Sequence, residues 1–163
     1  MKIYISYFYQ LRFFPKNAIP LSTAIWGPKW FKQGTPWKDK RGVWNGLHAE
    51  PFAPGSQCEG LCHGPEYCEL KLNDVEIFSP TKCSFLRRYL IQLNTLDFDE
   101  IMARFERLGK TIQNKEGFLE EPIAILLVHE APDNPCSERW PLIKWFGDHG
   151  YELKEWTPDI GQN

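Results

Sequence analysis

The chain has 163 residues, a net charge of −2, 42% hydrophobic residues and 25% charged residues. This length supports one compact domain with its own core, and the composition is that of an ordinary globular chain. The balance of charge excludes a molecule that grips nucleic acid through its overall charge, although a local basic patch is still allowed. The longest apolar runs, such as "IAILLV", are far too short to span a membrane.

Taken in chain order, "KIYISYFYQL" alternates and is rich in β-branched and aromatic residues, which predicts a first strand. Its tyrosines and the lack of a small-residue cleavage site set it apart from a signal peptide, so the expected compartment is the cytosol, where disulfides are disfavoured. "AIPLSTAI" predicts a second short strand, with Pro20 marking an edge strand or a strand start. From Trp26 to about Pro80 neither period holds for long, and glycine and proline recur in "WGPKW", "QGTPW", "APGS" and "HGPE". So long an irregular stretch inside a compact domain needs a staple, and residues 26–80 are read as a loop insertion.

Regularity returns after this stretch. "SPTKCSFLRRYLIQLN" offers Ser79 as N-cap and Pro80 at the first helical position, with Leu86, Tyr89, Leu90 and Leu93 on one face. "DFDEIMARFERLGKTI" places Asp97 and Glu100 at capping-box spacing and carries an apolar stripe of Ile101, Phe105, Leu108 and Ile112. "EPIAILLVHE" is continuously apolar, as expected of a central strand covered on both faces. A helix from about Ser137 or Pro141 to Gly147 and a last strand in "YELKEW" complete the pattern, with a loose tail "TPDIGQN". The order predicts a single α/β domain over residues 1–163, a small three-layer Rossmann-like fold with a cysteine-rich, metal-stapled loop inserted in it.

The staple is found in "CEGLCHGPEYC" and the next helix start. Cys58, Cys62, Cys68 and Cys83 form C-x3-C-x5-C-x14-C, four sulfurs on a loop that lacks a core, which is what tetrahedral zinc requires. Cys83 is expected in the first turn of its helix, where the dipole favours a thiolate. His63 is positioned to replace one sulfur. Free thiols or two disulfides are the alternatives. Four occupied sulfurs leave no open position, so the metal would be structural.

The end of the apolar strand, "VHEAPDNPCSER", concentrates reactive side chains where open α/β sheets bind ligands. Ser137 is a cap for the next helix, whose amides favour an anion. Arg139 carries a fork of donors suited to phosphate or carboxylate. Cys136 is a candidate nucleophile if its pKa is lowered, and Glu130 a candidate general acid or base. The plainer alternative is a helix cap, a buried thiol and a surface ion pair between Glu130 and Arg139.

A strand ending in Glu, then a short loop, then Cys-x-x-Arg or Cys-His-Arg opening a helix, resembles the YeaO-like family of bacteria and phages known as domain of unknown function 488. "IYISYF" and "IPLSTAIWGPKWF" resemble that family's first strand and the loop after its second. The resemblance covers the two ends of the chain. It implies a compact α/β fold and a pocket involving Glu130, Cys136 and Arg139. This chain has Ser137 and Glu138 between Cys136 and Arg139, not the family's usual histidine, and it adds the cysteine-rich insertion. The family has no established activity, so the resemblance implies a site rather than a reaction.

With seven tryptophans, aromatic residues exceed what a core of this size needs. "WGPKWFKQGTPWKDKRGVW" interleaves Trp26, Trp30, Phe31, Trp37 and Trp44 with Lys29, Lys32, Lys38, Lys40 and Arg41, opposed only by Asp39. Such rings stack bases and such cations meet phosphates. The alternative is that the rings plug the core while the lysines solvate a loop. The reading expected from the residues is a cytosolic binding protein for a phosphate-bearing, nucleotide-derived small molecule with a structural zinc site. Its ligand residues are Trp26, Lys29, Trp30, Trp37, Ser137 and Arg139, with Trp30 or Trp37 lining a pocket. A nucleotide-sequestering phage protein fits that reading. The enzyme alternative is a transferase or hydrolase acting on a nucleotide or nucleic-acid base through Glu130 and Cys136. A third reading is a nucleic-acid accessory protein. The sequence shows no complete triad, phosphate-binding glycine loop or open metal site.

Overall fold

A computed structural model describes residues 1–33, 44–58, 83–134 and 136–161. Six strands form one all-parallel sheet in the order β3-β4-β2-β5-β1-β6. They are β1 (Lys2–Tyr7), β2 (Ala18–Ser22), β3 (Phe31–Gln33), β4 (Trp44–His48), β5 (Ile123–Val128) and β6 (Lys154–Glu155). The α-helices are α1 (Ser84–Leu93), α2 (Phe98–Glu116) and α3 (Arg139–Asp148). This is the α/β class expected, with the apolar strand β5 at the centre, between β2 and β1.

Register divides the core in two. Ile3, Ile19 and Ala124 are partners across β1, β2 and β5, and they face the helices with Ile5, Leu21, Leu126 and Val128. Tyr89 and Leu93 of α1, Phe105 of α2 and Trp145 of α3 close over that face. Ile125 and Leu127 point the other way, onto Phe8, Leu11, Phe31 and Trp156. The three-layer expectation is therefore modified. Among the described residues all three α-helices lie on one face, and the other is covered by a short 3-10 helix, Phe8–Phe13, and by aromatic loop residues. Phe8 and Leu11 are one 3-10 turn apart and both buried. Each such side chain contributes about 1.5–3 kcal/mol relative to exposure. For the same reason the first strand stops at Tyr7, although its apolar pattern runs further.

Pro20 sits in an interior strand rather than at an edge. Asn17 accepts from Ile123 and Thr23 donates to Leu127, so odd-numbered residues of β2 bond to β5. Pro20, even-numbered, turns its nitrogen toward β4, and the β2–β4 pairing begins only at Leu21 and Leu47. The missing N–H thus falls where no ladder bond is made.

Two strands, β3 and β4, arise from the 26–80 stretch that showed neither period. A side chain at Gly46 of β4 would meet the Phe31 ring at 2.5 Å and the Pro20 carbonyl oxygen at 2.6 Å, so a glycine is required there. The helices match their patterns more closely. The Asp97 side chain accepts from the Glu100 N–H at 3.0 Å, and Gly117 ends α2 in the left-handed conformation at φ 68°. α1 starts at Ser84 with Cys83 as its N-cap, one position outside the first turn. The proposed cap Ser79 and Pro80 lie outside the described residues. No helix among the described residues is long and apolar enough to cross a membrane.

Candidate ligand site at the carboxyl edge of the sheet

Because every strand is parallel, all carboxyl ends share one edge. The connection after β1 covers one face of the sheet, while the helix after β5 covers the other. Adjacent chains that leave in opposite directions open a crevice at that edge, the place where such sheets bind ligands.

The loop after β2 is fastened to this edge by two histidines. His48, at the end of β4, bonds through Nε2 to the Ala24 carbonyl at 3.0 Å. His129, just past β5, bonds through Nε2 to the Trp26 carbonyl at 2.5 Å. A carbonyl only accepts, so both rings carry their proton on Nε2. Thr23 adds its N–H and hydroxyl, both donating to Leu127 O at 3.0 Å. Held this way, Trp26 is 81% and Trp30 44% exposed, with Lys29 exposed between them. Buried Phe8 packs edge-on against Trp30 and lies 5.1 Å from the His129 ring. The tryptophan loop and the end of β5 thus meet. A small cavity of about 150 Å³ lies beside the loop, lined by Ser22, Ala24, Ile25, Gly27, Phe31 and His48. Trp37 lies outside the described residues, and Trp44 contributes its backbone to β4.

Arg139 differs from its expected role. It is 1% exposed, and its guanidinium is held within the protein. Nε donates to Glu155 Oε2 at 2.9 Å and Nη2 to Glu155 Oε1 at 3.3 Å, while Nη1 donates to the Glu130 backbone carbonyl at 2.9 Å. It is neither an open anion clamp nor the surface partner of the Glu130 carboxylate. The cause is β6, which adds to the sheet beside β1 and brings Glu155 under α3. Burial pushes the Glu155 carboxyl up, against the downward pull of Arg139. Ser137 is fully buried, and its hydroxyl accepts from the Arg139 N–H at 3.2 Å, but the N-cap of α3 is Glu138, one position later, and its side chain makes no capping bond. Both residues therefore build the start of α3.

Glu138, which the sequence pattern passed over as a spacer, faces Glu130. Burial, then the charge of Glu130, raises the Glu138 carboxyl to about 8. The Oε2 atoms of both residues are out of solvent and meet no donor among the described residues. The raised Glu138 carboxyl keeps its proton near neutral pH and so carries a donor beside Glu130. Cys136 is 9% exposed, with its N–H donating to Asn134 Oδ1 at 2.8 Å.

Cys58 and Cys83 are buried and outside any disulfide. Cys58 ends a 3-10 turn, Ser56–Cys58, that packs on α1, the helix Cys83 caps. Burial raises the Cys58 thiol pKa, with Arg88 pulling it down. Cys62, Cys68 and His63 lie outside the described residues. Among the described residues no group of three or more His, Cys, Asp or Glu side chains is placed to hold a metal. As buried thiols at either end of residues 59–82, the two cysteines have the donor chemistry that a soft metal takes.

A larger cleft of about 530 Å³ lies on the helix face between β4 and α2, lined mainly by apolar residues such as Leu47, Phe52, Phe105 and Leu108. None of the candidate catalytic, metal or ligand residues named from the sequence is among its lining. Comparison with models of protein families, with curated proteins and with solved structures found no match.

Proposed function

We propose that the protein binds a phosphate-bearing, nucleotide-derived small molecule at the carboxyl edge of the sheet. Trp26 and Trp30 stack the base and Lys29 meets the phosphate. One observation carries this reading: two exposed tryptophan rings stand on a loop that His48 and His129 fasten to the carboxyl edge of the sheet. Exposing rings of that size is unfavourable unless something covers them. Arg139, committed to Glu155, is not part of the ligand set.

A structural zinc ion held by Cys58, Cys62, Cys68 and Cys83 belongs to the same proposal. It would join the 3-10 turn before residue 59 to the start of α1, and a cytosolic setting would keep the thiols reduced. Membership of the YeaO-like family is likewise a proposal, supported by the strand–loop–helix pattern from Glu130 to Arg139.

The Glu130–Glu138 pair favours a second reading, a transferase or hydrolase acting on a nucleotide or base. In it the protonated Glu138 is the acid, Glu130 the base and Cys136 the nucleophile.

Titration with AMP and with dTMP, followed by tryptophan fluorescence, tests the binding reading. Quenching is expected and should be lost in Trp26→Ala or Trp30→Ala. Unchanged affinity in both variants would return the rings to a packing role. Turnover that disappears in Glu138→Gln would favour the enzyme.

A further inference from the structure

The charges of this chain are segregated. Residues 1–33 contain five of the 19 basic residues and none of the 21 acidic ones. Those residues build β1, the 3-10 helix Phe8–Phe13, β2, the tryptophan loop and β3, and they supply most of the cover on the face away from the α-helices. A molecule with a net charge of −2 therefore carries one segment that is wholly cationic.

The same segment leaves large rings in solvent. Tyr9 is 59% and Phe13 53% exposed, in addition to Trp26 and Trp30. Arg12 lies between the first two, with its guanidinium carbon 3.8 Å from the Tyr9 ring centre and 5.5 Å from that of Phe13. Its Nε donates to the Tyr9 carbonyl at 3.2 Å, which fixes the cation against the rings. The 3-10 helix and the tryptophan loop are joined through buried Phe8, which packs on Trp30. Four exposed rings on two joined segments, with Arg12, Lys29 and Lys32 exposed among them and no acid within either segment, extend beyond what one base can cover.

We infer that this face is a stacking platform for single-stranded nucleic acid, running from Trp26 and Trp30 along the 3-10 helix to Tyr9, Arg12 and Phe13. The inference rests on the reading of Trp26 and Trp30 as base-stacking rings and extends it to a polymer. Unpaired bases offer a free π-face to each ring, whereas a duplex keeps its bases stacked on one another. Phosphates between the bases meet the cations. An acidic peptide would satisfy the charge but leave the rings without partners.

The test is fluorescence anisotropy with fluorescein-labelled oligothymidylates of increasing length, beside the dTMP fluorescence titration. Affinity is expected to rise with length. Tyr9→Ala and Phe13→Ala should each weaken oligonucleotide binding roughly 5- to 150-fold and leave dTMP quenching unchanged. With three cations in contact, the slope of log affinity against log salt should be about −2, and Arg12→Ala should make it shallower by about 0.7. Binding of dTMP without any gain from longer oligomers would overturn the platform and leave the mononucleotide site standing. Failure of both probes would remove both readings. Oligonucleotide binding indifferent to Tyr9 and Phe13, or displaced equally well by polyglutamate, would reduce the surface to a charge patch and overturn stacking. Self-association abolished by Phe13→Ala, with no oligonucleotide bound, would make the face a contact between copies and overturn the inference.

Discussion

Arg139 and Glu155 form a two-point ion pair across the start of α3 and the end of β6, with Nε–Oε2 at 2.9 Å and Nη2–Oε1 at 3.3 Å. The arginine side chain is 2% exposed and the glutamate 27%. Removing one partner of such a pair strands the other, so Arg139→Ala should cost about 3–5 kcal/mol of stability. Arg139→Lys should recover only part, because an ammonium cannot make both contacts and also reach the Glu130 carbonyl. Urea denaturation of both variants and of Glu155→Gln measures this, and nucleotide affinity should change little. A Lys variant with normal stability and lost affinity would instead restore Arg139 to the ligand site.

Gly46 gives a purely steric prediction. Gly46→Ala would place its new carbon against the Phe31 ring and the Pro20 carbonyl. The ring can shift, but the carbonyl belongs to the neighbouring strand. The substitution should cost about 1–3 kcal/mol, and shrinking Phe31 to leucine should not restore the loss. Thermal unfolding of the single and double variants decides the point.

The Glu130–Glu138 pair makes stability depend on pH in a defined direction. A carboxyl raised from 4.5 to about 8 on folding binds more protons in the native state than in the unfolded chain. Its contribution is complete below about 4.5, decreases as pH rises, and is lost through pH 8. Glu155, raised in the same direction, adds to the trend. Glu138→Gln, neutral at every pH, should flatten the fall in stability between pH 5 and 8, as measured by denaturant midpoints across that range. A fall just as steep in the variant would mean that another group carries it.

His48 and His129 should control the tryptophan loop without supporting the core. His129→Ala should blunt nucleotide quenching while lowering stability by no more than about 1 kcal/mol, since one bond at an exposed ring is lost. His129→Gln, which keeps a donor, should recover part of the quenching. A large fall in melting temperature, with quenching intact, would show that the ring serves packing.

For the zinc proposal, elemental analysis of protein purified without chelator should find one zinc per chain. Cys58→Ser or Cys83→Ser should lower that content. Binding should tighten as pH rises, because the Cys58 thiol, raised by burial, must release its proton to the metal. Chelation should leave the β1, β2 and β5 core folded, since Cys58 is one member of a cluster whose other buried residues come mostly from those strands, α2 and α3.

The central strands β1, β2 and β5, the capped helix α2 and the class of fold were legible from local pattern, because each of these elements carries its own period or cap in adjacent residues. The short strands β3 and β4 were not, since three to five residues interrupted by Gly46 cannot establish a period, and their pairing depends on neighbours distant in the chain. Pro20 reads locally as an edge residue. Only the alternation of bonds toward β5 and β4 shows how an interior strand accepts it. At the site, the chain itself marked Glu130, Cys136, Ser137, Arg139, Trp26 and Trp30. Which of them stay open to solvent was decided by partners supplied from elsewhere: Glu155 from β6 occupies Arg139, and histidines from β4 and beyond β5 fasten the loop that exposes the tryptophans. A side chain's type states what it can bond, but its burial and its nearest counter-charge are set by the packing of segments far apart in sequence.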